Sequence, residues 1–278
     1  MKRTRTVARV LPCSFFTAVA TLALLVSSLA SAQTGATAFE GVWSGWLTTQ
    51  EHPAWQVEDY LCFVGCPKVA YDHLTTLLDN PANDARPLGE LTGETHDFIT
   101  AYLTERSTAA GIAMMDGNSE ANDTNLECHP YDFVRSATNP LPFEIIDNGA
   151  TLTVNYEEWN RTRTIYLDGR AFPEPLEPSS LGYSVGRIEG GALVIETRGL
   201  VASTYPPITI NAAGGHSDQL KGIERYTVTP GDTPILTLEL TLEDPGTLTE
   251  PYVYYKRWIA TPDIEILTDS CADRPGVF

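Results

Sequence analysis

The chain has 278 residues, and 36 acidic side chains against 18 basic ones give it a formal charge of −18. So acidic a molecule repels nucleic acid and anionic lipid, which makes both poor partners, and solubility is the plain reason for the excess. Hydrophobic residues make up 42% of the sequence, enough for one large core.

The first residues have the layout of a secretory signal peptide. Lys2, Arg3, Arg5 and Arg9 form a basic head, an apolar run follows from Phe15 to Leu29, and Ala30-Ser31-Ala32 offers a small-x-small cleavage site. About 15 apolar residues fall short of the roughly 20 that a membrane span needs. Cys13 precedes the run, which is the wrong place for a lipoprotein cysteine. The expected product is residues 33–278, secreted or periplasmic, with no membrane span. Processing removes the four basic groups and no acidic one, which moves the formal charge from −18 to −22.

Residues 39–49, "FEGVWSGWLTT", suit an opening strand. A helical insert is expected over about 51–140. "VAYDHLTTLLDN" spaces Val69, Leu74, Leu77 and Leu78 close to the helical period, and "GETHDFITAYLTERSTAAGIAMM" does so with Phe98, Ile99, Tyr102 and Leu103. Asn80-Pro81 and Arg86-Pro87 break the chain between them, and the polar loop "DGNSEANDTN" follows. Within the insert Cys62 and Cys66 join Cys128 and Cys271 as the cysteines beyond the leader. An even count in an exported chain reads as disulfides, with three possible pairings. A metal site on Cys62, Cys66 and His73 or His96 is the alternative, and no metal is expected.

From Pro142 onward the pattern has period two. "TLTVNYEEW", "RTRTIYLDGR", the pair in "YSVGRIEGGALVIETRGL", the hairpin "LKGIERYTVTPGDTPILTLELTLEDP" and "EPYVYYKRWIATPDIEIL" bring the total to about eight to ten strands. A mainly β, antiparallel meander of this length loses its exposed edges by closing into a barrel. Gly41-Val42-Trp43 on the first strand and Arg257 on the last long one resemble the lipocalin (calycin) arrangement. That resemblance implies a guanidinium stacked on the Trp43 indole.

Three segments carry possible chemistry. Gly182-Tyr183-Ser184-Val185-Gly186 matches the nucleophile elbow of α/β-hydrolases, but that elbow needs a helix after the serine and here a second strand follows. Asp168-Gly169-Arg170 ends a strand with a turn signature. "GGHSDQLKGIERYT" places His216 and Asp218 before a strand whose alternation puts Glu224, Tyr226 and Val228 on one face and Lys221, Ile223, Arg225 and Thr227 on the other. Histidine is the natural proton carrier near neutrality, so His216 and Asp218 at a barrel rim, with Glu224 reaching inward, form an acid/base candidate. The competing reading is a loop that caps its own backbone. Tyrosines and tryptophans on the strands supply an aromatic lining of the kind that small-molecule cavities use.

The segments "CHPYDFVRSATNPLPFEI", "RTIYLDGRAFP", "GYSVGRIEGGALVIETRGL", "HSDQLKGIERYT" and "TLEDPGTLTEP" together resemble a large family of exported bacterial proteins to which no activity is assigned. The resemblance covers about half of residues 33–278. It departs at Phe172, where relatives carry histidine, and at Ile188 and Gly191, where they carry Trp and Asp. It implies a site drawn from Asp168, Arg170, Glu189, His216, Asp218, Glu224 and Arg225. The family-like segment holds Cys128, and Cys271 follows its last strand, which implies a long-range Cys128–Cys271 bridge. Cys62–Cys66 is then local to the insert, where Gly65 and Pro67 let the chain bend.

The expected function is exported binding of a small apolar or aromatic molecule, with Arg170, Glu189, Arg225 and Tyr226 contacting the ligand. The alternative is a hydrolase, lyase or isomerase without cofactor, using His216, Asp218, Asp168 and Glu224. Phosphate-loop, dinucleotide and HExxH signatures do not occur in the sequence, and no cofactor is expected.

Overall fold

The computed structural model describes residues 35–45, 56–117, 123, 129–204 and 215–267. Residues 1–34, which hold the expected signal peptide, and Cys128 and Cys271 lie outside these residues.

The β region closes into a barrel. Its strands are β1 (Gly41–Ser44), β3 (Phe143–Asp147), β4 (Thr151–Tyr156), β5 (Arg161–Tyr166), β6 (Tyr183–Glu189), β7 (Ala192–Arg198), β8 (Lys221–Thr229), β9 (Ile235–Glu243) and β10 (Tyr252–Ala260). Each pairs with the next, and β1 pairs with both β3 and β10 to seal the ring. The two-residue strand β2 (Cys66–Pro67) lies on the same edge of β10 as β1, opposite Tyr254 and Tyr255, while β1 takes Ile259 and Ala260. The ladders are antiparallel except β5–β6, which is parallel. The departure from a pure meander has a local cause. Residues 167–182 carry the chain from the end of β5 back to the start of its neighbour before it re-enters the sheet.

Alternation builds the interior. Leu236, Leu238, Leu240 and Leu242 of β9 are buried while the residues between them are half-buried. Facing them are Leu193 and Ile195, Ile165, Leu152 and Val154, and Tyr254 and Trp258. At one end a 3-10 turn, Ala36–Phe39, inserts Phe39, whose carbonyl accepts the Trp43 indole N–H at 2.9 Å.

The insert forms as helices α1 (Val57–Leu61), α2 (Lys68–Leu78), α3 (Leu88–Arg106) and α4 (Ala109–Asp116). Leu91, Thr95, Ile99 and Leu103 recur every four residues and are the buried stripe of α3. His73 of α2 stacks on Phe98 of α3 at 4.4 Å. Tyr71 meets Tyr255 on the outer face of β10 at 4.6 Å, so α2 lies outside the barrel wall.

One helix goes inside. α5 (Phe133–Thr138) buries all six of its residues. A period of 3.6 cannot show in six residues, and "FVRSAT" gives no amphipathic signal. Its ring Phe133 fills the place a side chain on Gly222 of β8 would take: a Cβ there would lie 2.3 Å from the ring. The bare backbone at 222 is what admits the helix into the barrel mouth.

Trp43 and Arg257 do not stack. Trp43 lies opposite Ala260, and Ala260 and Arg257, an odd number of residues apart on one strand, point to opposite faces. Trp43 therefore points inward, and Arg257 leaves the wall outward. Arg257 donates to Asp59 at 2.7 Å and Gln56 at 2.9 Å and ties α1 to β10. Cys62 and Cys66 are bonded to each other, as the local pairing expects.

Candidate functional site

Glu224 and Tyr226 point into the barrel, as strand alternation predicts, and there they meet a partner that sequence reasoning missed. Arg163 of β5 is 4% exposed and Glu224 is fully buried. The guanidinium takes the carboxylate with both terminal nitrogens, one of them at 2.9 Å. It also donates to Ser184 Oγ at 2.9 Å and Thr197 Oγ1 at 2.7 Å, and Ser184 and Thr197 bond each other at 3.0 Å. Tyr226 donates to Glu224 at 2.9 Å, and the Phe133 ring lies 4.9 Å from the guanidinium. Burial works to lower the Arg163 pKa, but the Glu224 charge outweighs it and holds the guanidinium protonated. Burial and the same carboxylate push the Tyr226 phenol well up. This network is satisfied from within, so its groups are structural cations and acceptors rather than free proton carriers. Ser184 is a member of it and not a nucleophile.

His216 sits at the N-terminal end of α5 and is 5% exposed. Its backbone pairs with Ser203 in both directions, at 2.8 and 2.9 Å. The ring Nδ1 lies 3.0 Å from the Ser217 carbonyl, so it is the donor nitrogen. Nε2 faces Asp132 at 3.6 Å, an ion-pair distance longer than a hydrogen bond. Asp132 accepts the Arg135 backbone N–H at 3.0 Å and so caps α5. Desolvation favours neutral His216, yet the Asp132 carboxylate beside it wins and raises the pKa. The same pair lowers Asp132 against its own burial. A cavity of about 30 Å³ adjoins the ring, walled by Leu103, Gly111, Leu220 and Tyr252 among others. That is room for about one or two water molecules.

The motif His216-Ser217-Asp218 divides its labour unexpectedly. Ser217, not Asp218, makes the long-range contact: its N–H donates to Asp244 at 2.7 Å, and its hydroxyl bonds the other carboxylate oxygen. Thr247 and the Gly246 N–H complete the cluster at 2.6 and 3.1 Å. Asp218 is exposed on the turn. The segments "HSD" and "EDP" therefore meet in space.

The remaining predicted residues are elsewhere. Asp168 and Arg170 form an exposed ion pair at 2.6 Å. Arg170 lies over Tyr166 at 3.9 Å, and Tyr166 stacks on Tyr183 at 4.9 Å, on the outer wall. Phe172 packs there against Tyr183 and under Arg198. Glu189 pairs with Arg187 at the β6–β7 hairpin, and Arg225 projects from the exposed face of β8. The structure brings Glu224 and Tyr226 together, places His216 next to α5, and leaves Asp168, Arg170, Glu189, Asp218 and Arg225 outside.

On the flank of α5 lies an apolar pocket of about 240 Å³. Phe63, Val64, Tyr131, Arg135, Thr138, Asn139, Pro140, Leu141 and Glu158 line it. Arg135 stacks on Tyr131 at 3.8 Å and holds Asp123 at 2.7 Å. Burial, with Glu158 adding to it, pushes the Tyr131 phenol up to about 12. Directly after Glu158 come Trp159 and Asn160 with φ of 60° and 48°, the non-glycine residues in the left-handed region among those described. A bulky residue there stores strain, and such outliers concentrate at functional sites. No signal in the sequence marks this pocket, because its walls come from the disulfide loop, α5 and the β4–β5 connection.

No family model matches the chain, and no curated protein matches it. Among the described residues no helix is long and apolar enough to cross a membrane, and no cluster of three His, Cys, Asp or Glu is placed to hold a metal ion.

Proposed function

We propose that the protein is an exported binder of a small, largely apolar or aromatic molecule, and that the ligand sits in the pocket on the flank of α5. The observation that carries this reading is the contrast between that pocket and the barrel interior. The interior holds α5, the Arg163–Glu224 network and close-packed leucines. The flank offers about 240 Å³ between Phe63, Tyr131 and Leu141, with Arg135, Asn139 and Glu158 as the few polar groups that orient a ligand. A cavity of about 150 Å³ accepts benzene, so this one suits about ten non-hydrogen atoms. The leader-like N-terminus and the Cys62–Cys66 bridge support export.

The acid/base alternative has less support. The Asp132 carboxylate raises the His216 pKa, which favours the imidazolium over the free base, and the adjoining space of about 30 Å³ admits water but no substrate.

The test is a titration calorimetry and thermal-shift screen of single-ring and fused-ring aromatic compounds of about ten heavy atoms, run on the protein and on Leu141→Trp, which fills the pocket. Binding that the substitution abolishes, with the fold intact, is the expected result. Binding that survives it at full strength places the ligand elsewhere.

A further inference from the structure

The chain has four lysines, Lys2, Lys68, Lys221 and Lys256. Lys68 and Lys221 are ordinary, paired with Asp72 and Glu243 at 2.8 Å on the surface. Lys256 is not. It points inward from β10 between Tyr254 and Trp258 and is 2% exposed. Its Nζ donates to the Phe63 carbonyl, lies 5.4 Å from the Phe63 ring and 5.7 Å from the Trp258 ring, and closely approaches Gly45, where a Cβ would come within 2.9 Å. An ammonium has three protons to donate, and among the described residues one carbonyl receives them. The nearby carboxylate, Asp59, is committed to Arg257, and Glu224 to Arg163. A buried cation with no carboxylate of its own among the described residues is costly, and the usual escape is loss of the proton.

The residue that covers Lys256 also walls the pocket. Phe63 lines the flank cavity, and its carbonyl accepts from Nζ. It belongs to the three-residue loop closed by Cys62–Cys66, which fixes that carbonyl covalently beside the amine.

We propose that Lys256 is a carbonyl-capturing amine, forming an imine with an aldehyde carried by an apolar or aromatic ligand that enters through the flank pocket. This rests on the pocket reading above. In the step, the neutral Nζ adds to the aldehyde carbon, the C–N bond forms, and the oxygen leaves as water with the two protons of the amine. No oxidant or reductant takes part. Burial, only partly opposed by the Asp59 charge, lowers the Lys256 pKa to about 7, so an uncharged amine is present near neutrality.

The other lysines are internal controls. The protein is incubated at pH 7 with benzaldehyde and cyanoborohydride, which reduces an imine to a stable benzyl-lysine, and labelled sites are read by peptide mass spectrometry. The expected result is labelling of Lys256 at least about tenfold faster than Lys68 or Lys221, whose ammonium groups are ion-paired to Asp72 and Glu243 on the surface. The Lys256 rate should rise with pH and level off above about 7, and Lys256→Met should remove this label alone. Labelling of Lys68 and Lys221 with Lys256 untouched overturns the proposal. A second arm adds indole, which has the ring and no carbonyl. If indole binds and Lys256 still does not label, the amine inference fails and the pocket stands. If Lys256 labels but indole neither binds nor slows it, the amine stands and the route through the pocket fails.

Discussion

Two buried basic side chains that the described strands send inward, Arg163 and Lys256, are treated oppositely. On the β5–β8 side Arg163 is met by Glu224, Ser184 and Thr197, so each terminal nitrogen has an oxygen and the charge is neutralised in place. On the β10 side Lys256 has the Phe63 carbonyl and two aromatic rings. The first arrangement locks strands together, and the second leaves a proton only weakly held. The difference shows where packing has been completed and where chemistry remains open, and it coincides with the flank pocket lying next to the second region.

Breaking the first region should have the largest effect. Arg163→Met leaves Glu224 buried without its partner and is expected to lower stability by about 3–5 kcal/mol in urea unfolding. Arg163→Met combined with Glu224→Leu should recover much of that loss, because the pair's worth is offset by its own desolvation. If the double variant is as unstable as the single, the network matters for more than charge.

The second region predicts the reverse response to removing the charge. The folded-state pKa of Lys256 is lowered to about 7 against about 10.4 unfolded, so between these values the unfolded chain binds more protons than the native one. Its contribution to stability therefore rises with pH from about 7 upward and is absent as a gain below 7, where both states are protonated. The slope is about 1.4 kcal/mol per pH unit, so about 2–3 kcal/mol between pH 7 and 9. Lys256→Met should flatten this segment of the stability profile. An unchanged profile would mean Lys256 keeps its proton.

His216 supplies a smaller effect of opposite slope. Its pKa is raised in the folded state, so its contribution is fully present below the unfolded value near 6.5 and is lost as pH rises through the folded value. His216→Asn should cost about 1–2 kcal/mol at pH 6 and less at pH 9, measured by the same unfolding curves.

These contrasts were only partly legible in the sequence. Period-two alternation placed Glu224 and Tyr226 inward, because "GIERYTV" has one apolar-compatible face. The same rule puts Arg163 with Ile165 on the inner face, but in "RTRTIY" two arginines among threonines look like solvent charge. Lys256 was harder, since "YVYYKRWIA" is aromatic on both faces and either parity fits a wall. The Trp43–Arg257 stack failed on register, which depends on how β1 meets β10 and is not written in either strand. Asp168 and Arg170 were expected in the site with His216, but their turn closes on itself and the outer tyrosines. The flank pocket depends on α5, a six-residue helix whose entry requires Gly222 far along the chain, and no local pattern reports such a contact.

The central claim is that a small apolar molecule binds beside α5 and not in the barrel's centre. The direct measurement is a set of nuclear Overhauser contacts between bound indole and the protein's methyl groups. The account predicts contacts to Val64, Thr138 and Leu141 of the pocket wall. Contacts to Leu238 and Leu240 of the interior instead would contradict it.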